Sequence, residues 1–197
     1  MIAAGVRLPI VMAIANRALS APINIWNDHQ DSISERDSGW IQLFVESSQE
    51  AFDTTIMAYK IAENKKVLCP TMVCLDGFNL SHVYEPVDLL DQSKVDKFLP
   101  KYSPAYKLDP NKPISVGPIG YPDSFQYFKE DQHKAMQTAI SVIKTVNDEF
   151  KKSFGRSYGN GLVEGYKLEG AQYALVAMGS ICGTARVVID ELRKKGK

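Results

Sequence analysis

Arg17 follows the apolar run Leu8-Pro9-Ile10-Val11-Met12-Ala13-Ile14-Ala15 and the polar residue Asn16. Such a run reads as a short strand buried on both faces. In open α/β sheets, ligands gather beyond the carboxyl ends of the strands. A guanidinium there can grip a carboxylate through two parallel hydrogen bonds. The competing role is an ion pair with a structural carboxylate, Asp28 or Asp31. Asp28-His29-Gln30-Asp31 packs two carboxylates and an imidazole into four residues. Such a group could ligate a metal or move a proton. Neighbouring residues rarely converge on one ion, and Asp side chains readily bond their own backbone. A loop brace is therefore expected, with Asp28, His29 and Asp31 supporting the site and no metal. His82, after Asp76-Gly77-Phe78-Asn79, is a second polar group at a strand end or a surface histidine, and His133 is expected to be solvated. Gly179-Ser180-Ile181-Cys182-Gly183 sets glycines ahead of a helix N-terminus, which can hold an anion. It lacks the full glycine fingerprint and reads as a tight turn. Ser–His–Asp, HExxH and phosphate-loop patterns are absent from the sequence.

The elements that must position these residues follow from patterning. Asn16 to Gly39 is loop-like, and Trp40 to Val45 is a second short strand. Ser47-Ser48-Gln49-Glu50 has the form of a capping box, and the apolar spacing beyond it predicts a helix to about Asn64. Val67 to Leu75 is a third strand, kinked or at an edge because of Pro70. Strand, helix, strand implies parallel crossover topology. Pro100 to Pro122 holds six of the ten prolines and predicts an extended arm. A long amphipathic helix is expected over Asp131 to Phe154, burying Ala135, Ala139, Ile143, Val146 and Phe150. Gly155 to Gly170, with five glycines, reads as a linker. Tyr173 to Met178 reads as a buried strand and Ala185 to Lys195 as the helix after it. The domain reading is thus 1–154, a linker over 155–170, and a second domain beginning at 171–197.

Lys+Arg equals Asp+Glu at 23 each, so no overall field attracts phosphate backbones or anionic lipid. Nucleic-acid and membrane partners are not expected, and no apolar run reaches the roughly 20 residues that span a bilayer. The first residues lack the charge-then-apolar order of a signal peptide. Cys69, Cys74 and Cys182 make an odd count without a CxxC pair, arguing against a disulfide framework, a zinc site or an iron–sulfur cluster held by this chain. Reduced, mostly buried thiols in a cytoplasmic protein are expected.

Several segments, in order, resemble the α subunit family of 2-oxoacid:ferredoxin oxidoreductases of the pyruvate-using type. They are Arg7-Leu8-Pro9-Ile10-Val11-Met12, Asn16-Arg17-Ala18-Leu19-Ser20-Ala21-Pro22, Asp28-His29-Gln30-Asp31-Ser32, Arg36-Asp37-Ser38-Gly39-Trp40, Gln49-Glu50-Ala51 with Asp53, and Asp76-Gly77-Phe78. The resemblance continues through Phe154-Gly155-Arg156 and Ala177-Met178-Gly179-Ser180. It implies an α/β fold: part of a thiamine-diphosphate pyrimidine-binding domain, a parallel sheet with helices on both faces, then the first βα unit of a transketolase-C-like domain. It further implies oxidative decarboxylation of pyruvate with coenzyme A to acetyl-CoA, carbon dioxide and reduced ferredoxin, or the reverse. Thiamine diphosphate is shared with a β subunit. Magnesium and the iron–sulfur clusters belong to partner subunits, which are of β, γ and δ type. The family's substrate arginine falls on Arg17. The family chain carries about a hundred further residues before the first strand, including the glutamate that activates the cofactor, so an internal fragment is expected. The readings left open are 2-oxoisovalerate or 2-oxoglutarate as substrate, or a non-catalytic assembly subunit.

Overall fold

The computed structural model describes residues 1–104 and 106–197. Three parallel strands form one sheet in the order β1-β3-β2, with β1 at Val11–Asn16, β2 at Ile41–Phe44 and β3 at Thr71–Asp76. The parallel crossover expected from the sequence is present: α3, Ser48–Ala62, connects β2 to β3. Short helices α1, Ile2–Gly5, and α2, Gln30–Ile33, flank β1, while α4, Gln92–Phe98, α5, Phe125–Phe154, and α6, Ile181–Lys194, complete the described elements.

Alternation along each strand separates two faces. Val73 and Leu75 pack with Val11, Leu43, Val45, Ala51 and Ala58, so α3 covers this face. On the other face His29 sits edge-on to Phe44 and Gln42 donates to the Ser32 carbonyl at 2.5 Å, so the α2 segment covers part of it.

Ser47 caps α3 by accepting the Glu50 N–H at 3.1 Å. Glu50 reaches back one residue further than a standard capping box requires, to the Glu46 N–H at 2.8 Å. The predicted stripe of α5 is buried at Ala135, Ala139, Ile143, Val146 and Phe150, as period 3.6 requires. Phe150 is fully buried among Phe98 and Phe154. The helix starts at Phe125, six residues before the expected Asp131, because its first turns are solvated and carry no burial signal. Gly155 ends it with φ +78°, the left-handed cap that glycine adopts without a side-chain clash.

Three expectations are corrected. β1 begins at Val11 and is an edge strand whose Met12 is 42% exposed, so it is not buried on both faces. Pro70 lies just before β3 and neither kinks nor edges it; β3 is the central strand, and the Pro70 carbonyl accepts the Ile41 N–H at 2.9 Å. Tyr173 to Met178 forms no described strand, and Tyr173 and Val176 are 91% and 94% exposed. Apolar composition supplies the propensity, but a strand exists only where a neighbour accepts its ladder bonds. At the start of the 155–170 segment, Arg156 and Tyr158 are tied into α3 at Asp53. The described part of 100–122 contains no helix or strand, in keeping with the proline-rich arm; Ala105 lies outside the described residues.

Candidate ligand site at the carboxyl ends of the strands

Asn16 and Asp76 end β1 and β3 as register partners, and both are fully buried. Gly77 turns the chain away immediately after, its N–H donating to the Asn16 carbonyl at 2.9 Å. A Cβ at Gly77 would stand 2.1 Å from that oxygen, so any larger residue would push the two strand ends apart.

His29 lies across this pair. Asn16 Nδ2 meets His29 Nδ1 at 2.9 Å; an amide N–H can only donate, so Nδ1 accepts and the imidazole proton sits on Nε2. That Nε2 lies 3.2 Å from Asp76 Oδ1 but off the donor axis, so Asp76 Oδ1 receives no aligned hydrogen bond. Asn16 Oδ1 is likewise buried and unpartnered. Two orphaned acceptors at the strand ends call for a donor-bearing group, since leaving such atoms dry costs about 1–3 kcal/mol each.

Asp76 Oδ2 accepts from the Ser180 backbone N–H at 2.6 Å and its hydroxyl at 2.5 Å. The N-terminus of α6 thus does hold an anion, and that anion is a side chain of the sheet. Gly179, at φ +83°, permits the approach: a Cβ there would stand 2.3 Å from Asp76 Oδ1. Arg186 of α6 binds both carboxylate oxygens of Glu46 at 2.7 and 2.8 Å and lies 3.3 Å from Glu164. These contacts seat α6 over the carboxyl ends of β2 and β3. Burial, reinforced by the neighbouring Glu46 and Glu164 carboxylates, pushes Glu50 up to about 7, which suits it to hold a proton at neutral pH.

Arg17 is exposed, and among the described residues no carboxylate lies within ion-pair distance of its guanidinium. Asp31 accepts the backbone N–H of Arg17 at 3.2 Å and does not pair with its side chain. Asp31 Oδ1 also accepts the Ser32 N–H at 2.8 Å, and Asp28 accepts the Gln30 N–H at 2.7 Å. Asp28 and Asp31 therefore brace the loop, and His29 alone of the cluster joins the buried polar pair. His82 is exposed, stacked on Phe78 and bonded to Ser81, and His133 is exposed on α5, as expected. The described residues include no group of three or more His, Cys, Asp or Glu fit to hold a metal ion. Cys69 and Cys74 are buried and their thiols raised by burial, Cys74 to about 11, so both stay protonated at neutral pH.

Asp76, Asn16, Ser180, Glu46 and Arg186 did not stand out in the sequence as a group, since they are far apart in the chain. Asp76-Gly77, as a turn leaving a strand, and Gly179-Ser180, ahead of a helix N-terminus, gave local signs. A recess of about 460 Å³, lined by Lys60, Lys94, Lys97, Phe98, Glu149 and Lys152, shares no residue with the strand ends.

The family described as pyruvate flavodoxin/ferredoxin oxidoreductase, thiamine diphosphate-binding, matches residues 1–148. The chain belongs to that family. It is 59% identical over its whole length to pyruvate synthase subunit PorA of Methanocaldococcus jannaschii, covering 51% of that protein. It is 55% identical over 99% of its length to PorA of Methanothermobacter thermautotrophicus, covering 50% of it. Ketoisovalerate oxidoreductase subunit VorA of Pyrococcus horikoshii is 44% identical over 98% of the chain, which covers 49% of that subunit. The chain therefore spans about half the length of the curated relatives it matches. No described helix is long and apolar enough to cross a membrane.

Proposed function

We propose that this chain forms part of the α subunit of a pyruvate synthase, a pyruvate:ferredoxin oxidoreductase. The complex converts pyruvate and coenzyme A to acetyl-CoA and carbon dioxide with reduction of ferredoxin, or runs in reverse. The observation that carries this reading is Arg17: a guanidinium at the carboxyl end of β1, backbone-braced and without a carboxylate partner among the described residues. Greater identity to pyruvate synthase subunits than to the ketoisovalerate subunit supports pyruvate as substrate.

Thiamine diphosphate fits the donor set in part. The orphaned acceptors of Asn16 and Asp76 suit an amine donor, but both side chains are buried beneath His29 and the start of α6, so a heterocycle would reach them only with α6 displaced. The carboxylates of Asp76 and Glu46 would repel a diphosphate, so the diphosphate and its magnesium fall to a β-type subunit, and the iron–sulfur clusters to partners of β, γ and δ type. When bound, the cofactor supplies the carbon nucleophile and the electron sink that decarboxylation requires. Arg17 binds the substrate carboxylate through its planar fork. His29, bonded to Asn16 at the end of β1, stiffens the strand ends. α6 covers the polar cluster and keeps water from Asp76. We read 171–197 as the start of a second domain and the complex as cytoplasmic.

The test is the complex reconstituted with this subunit. Pyruvate- and thiamine-diphosphate-dependent viologen reduction is expected. A charge-assisted bond is worth about 1.5–3 kcal/mol, so Arg17→Ala should lower kcat/KM for pyruvate about ten- to a hundredfold, and Arg17→Lys, lacking the planar fork, should also impair it. Wild-type kcat/KM in Arg17→Ala refutes the assignment. A higher kcat/KM for 2-oxoisovalerate or 2-oxoglutarate than for pyruvate would move the substrate, and a cofactor-free complex would mark an assembly subunit.

A further inference from the structure

The strand exit that carries Arg17 is held by the side chains of another segment. Gln30 Oε1 accepts the Leu19 N–H at 2.6 Å, and Asp31 Oδ2 accepts the Arg17 N–H at 3.2 Å. Between them the Ala18 N–H donates to the Asn24 carbonyl at 2.9 Å. All three backbone donors from 17 to 19 are thus taken by groups outside the segment, two of them by adjacent side chains. Arg17 and Leu19 are exposed, so no core packing fixes their backbone. The bracing segment is itself anchored: His29 is bonded to Asn16 at 2.9 Å and faces Asp76, and Ser32 is buried.

We propose that Gln30 and Asp31 are positioning residues for Arg17, fixing its backbone and thereby the direction of its guanidinium without touching substrate. This rests on Arg17 as the carboxylate ligand. A planar fork aligns with a carboxylate only over a narrow range of directions, so a loosened backbone weakens the grip even though the charge remains. Gln30 is the sharper probe. Its Oε1 bond to Leu19 is the one hydrogen bond described for its side chain, whereas Asp31 also caps Ser32. Gln30→Glu keeps an acceptor at that place, and Gln30→Leu removes it at similar volume.

The experiment uses the assembled complex, with kcat/KM for pyruvate and the inhibition constant of oxamate, an unreactive pyruvate isostere, as readouts. Small displacements of a binding group cost up to two decades in rate, so Gln30→Leu is expected to lower kcat/KM about tenfold. It should weaken oxamate by a similar factor and leave thermal stability and cofactor content unchanged. Gln30→Glu should return both constants to within about twofold of wild type, and in an Arg17→Ala background Gln30→Leu should add nothing, the signature of two residues acting as one unit. Should Gln30→Leu fail to assemble, Gln30→Met replaces it. Full activity in the acceptor-free variant, or an equal loss with and without Arg17, overturns the positioning role while Arg17 stands as ligand. Wild-type behaviour of Arg17→Ala removes the ligand reading and this one with it.

Discussion

Asp53 is the most heavily bonded buried charge in the described structure, and replacing it by asparagine should unfold the chain at markedly lower denaturant. The carboxylate is 0% exposed; Arg156 reaches it through Nε at 2.7 Å and through a terminal nitrogen at 2.8 Å, and the Tyr158 hydroxyl donates at 2.7 Å. Two charge-assisted bonds at about 1.5–3 kcal/mol each suggest about 3–6 kcal/mol. Measured losses on breaking one side of a buried pair run about 3–5 kcal/mol. The Arg156 side chain is 28% exposed, so water recovers part of the loss, and we expect about 3 kcal/mol, near the lower bound. With a urea slope of about 2 kcal/mol/M, the midpoint should fall by about 1.5 M. The substituted side chain would turn an amide N–H toward the guanidinium donors, so size conservation does not spare it. The double substitution Asp53→Leu with Arg156→Leu should recover much of the loss, because it leaves no buried charge unpaired. Urea unfolding of the purified chain, followed by fluorescence, measures both. A shift below about 0.3 M for Asp53→Asn, or a double variant as unstable as the sum of the singles, refutes the view that this pair pins 156–158 to α3.

Glu50 is raised from 4.5 to about 7 by burial, so the folded state holds its proton where the unfolded chain has lost it. Its stabilising contribution is full below 4.5, falls as pH rises, and is gone above about 7. Glu50→Gln should flatten that decline in a series of urea titrations across the window; an unchanged slope refutes the assignment. Gly179→Ala would force a Cβ to 2.3 Å from Asp76 Oδ1 at φ +83°; about 1–3 kcal/mol of strain should loosen α6, read as faster amide exchange over residues 180–184, and unaltered exchange counts against the latch. Phe150→Ala empties a fully buried site beside Phe98 and Phe154; thermal or urea unfolding should report a loss of about 3–5 kcal/mol, and a loss under about 1 kcal/mol would mean that the α5 seam repacks.

The sequence by itself determined what depends on neighbours a few residues away. The α5 stripe, the Ser47 cap, the three short strands and their parallel connection are all local patterns, readable because helix and strand periods repeat along the chain. Arg17 was legible for the same reason, as a polar break directly after an apolar run. The resemblance named the family from motifs, and residues 1–148 match it. Only the tertiary structure decided which groups meet across long separations. Asp53 finds Arg156 at a distance of 103 residues along the chain, Asp76 finds Ser180 at 104, and Glu46 finds Arg186 at 140; each carboxylate alone looks like any surface acid. Tertiary structure likewise decided the fate of two apolar runs. Val11–Asn16 became an edge strand, and Tyr173 to Met178 remained unpaired among the described residues. Apolar composition measures a gain from burial wherever burial occurs, whereas a strand and its covered face also require a partner at one definite register, which no single segment encodes.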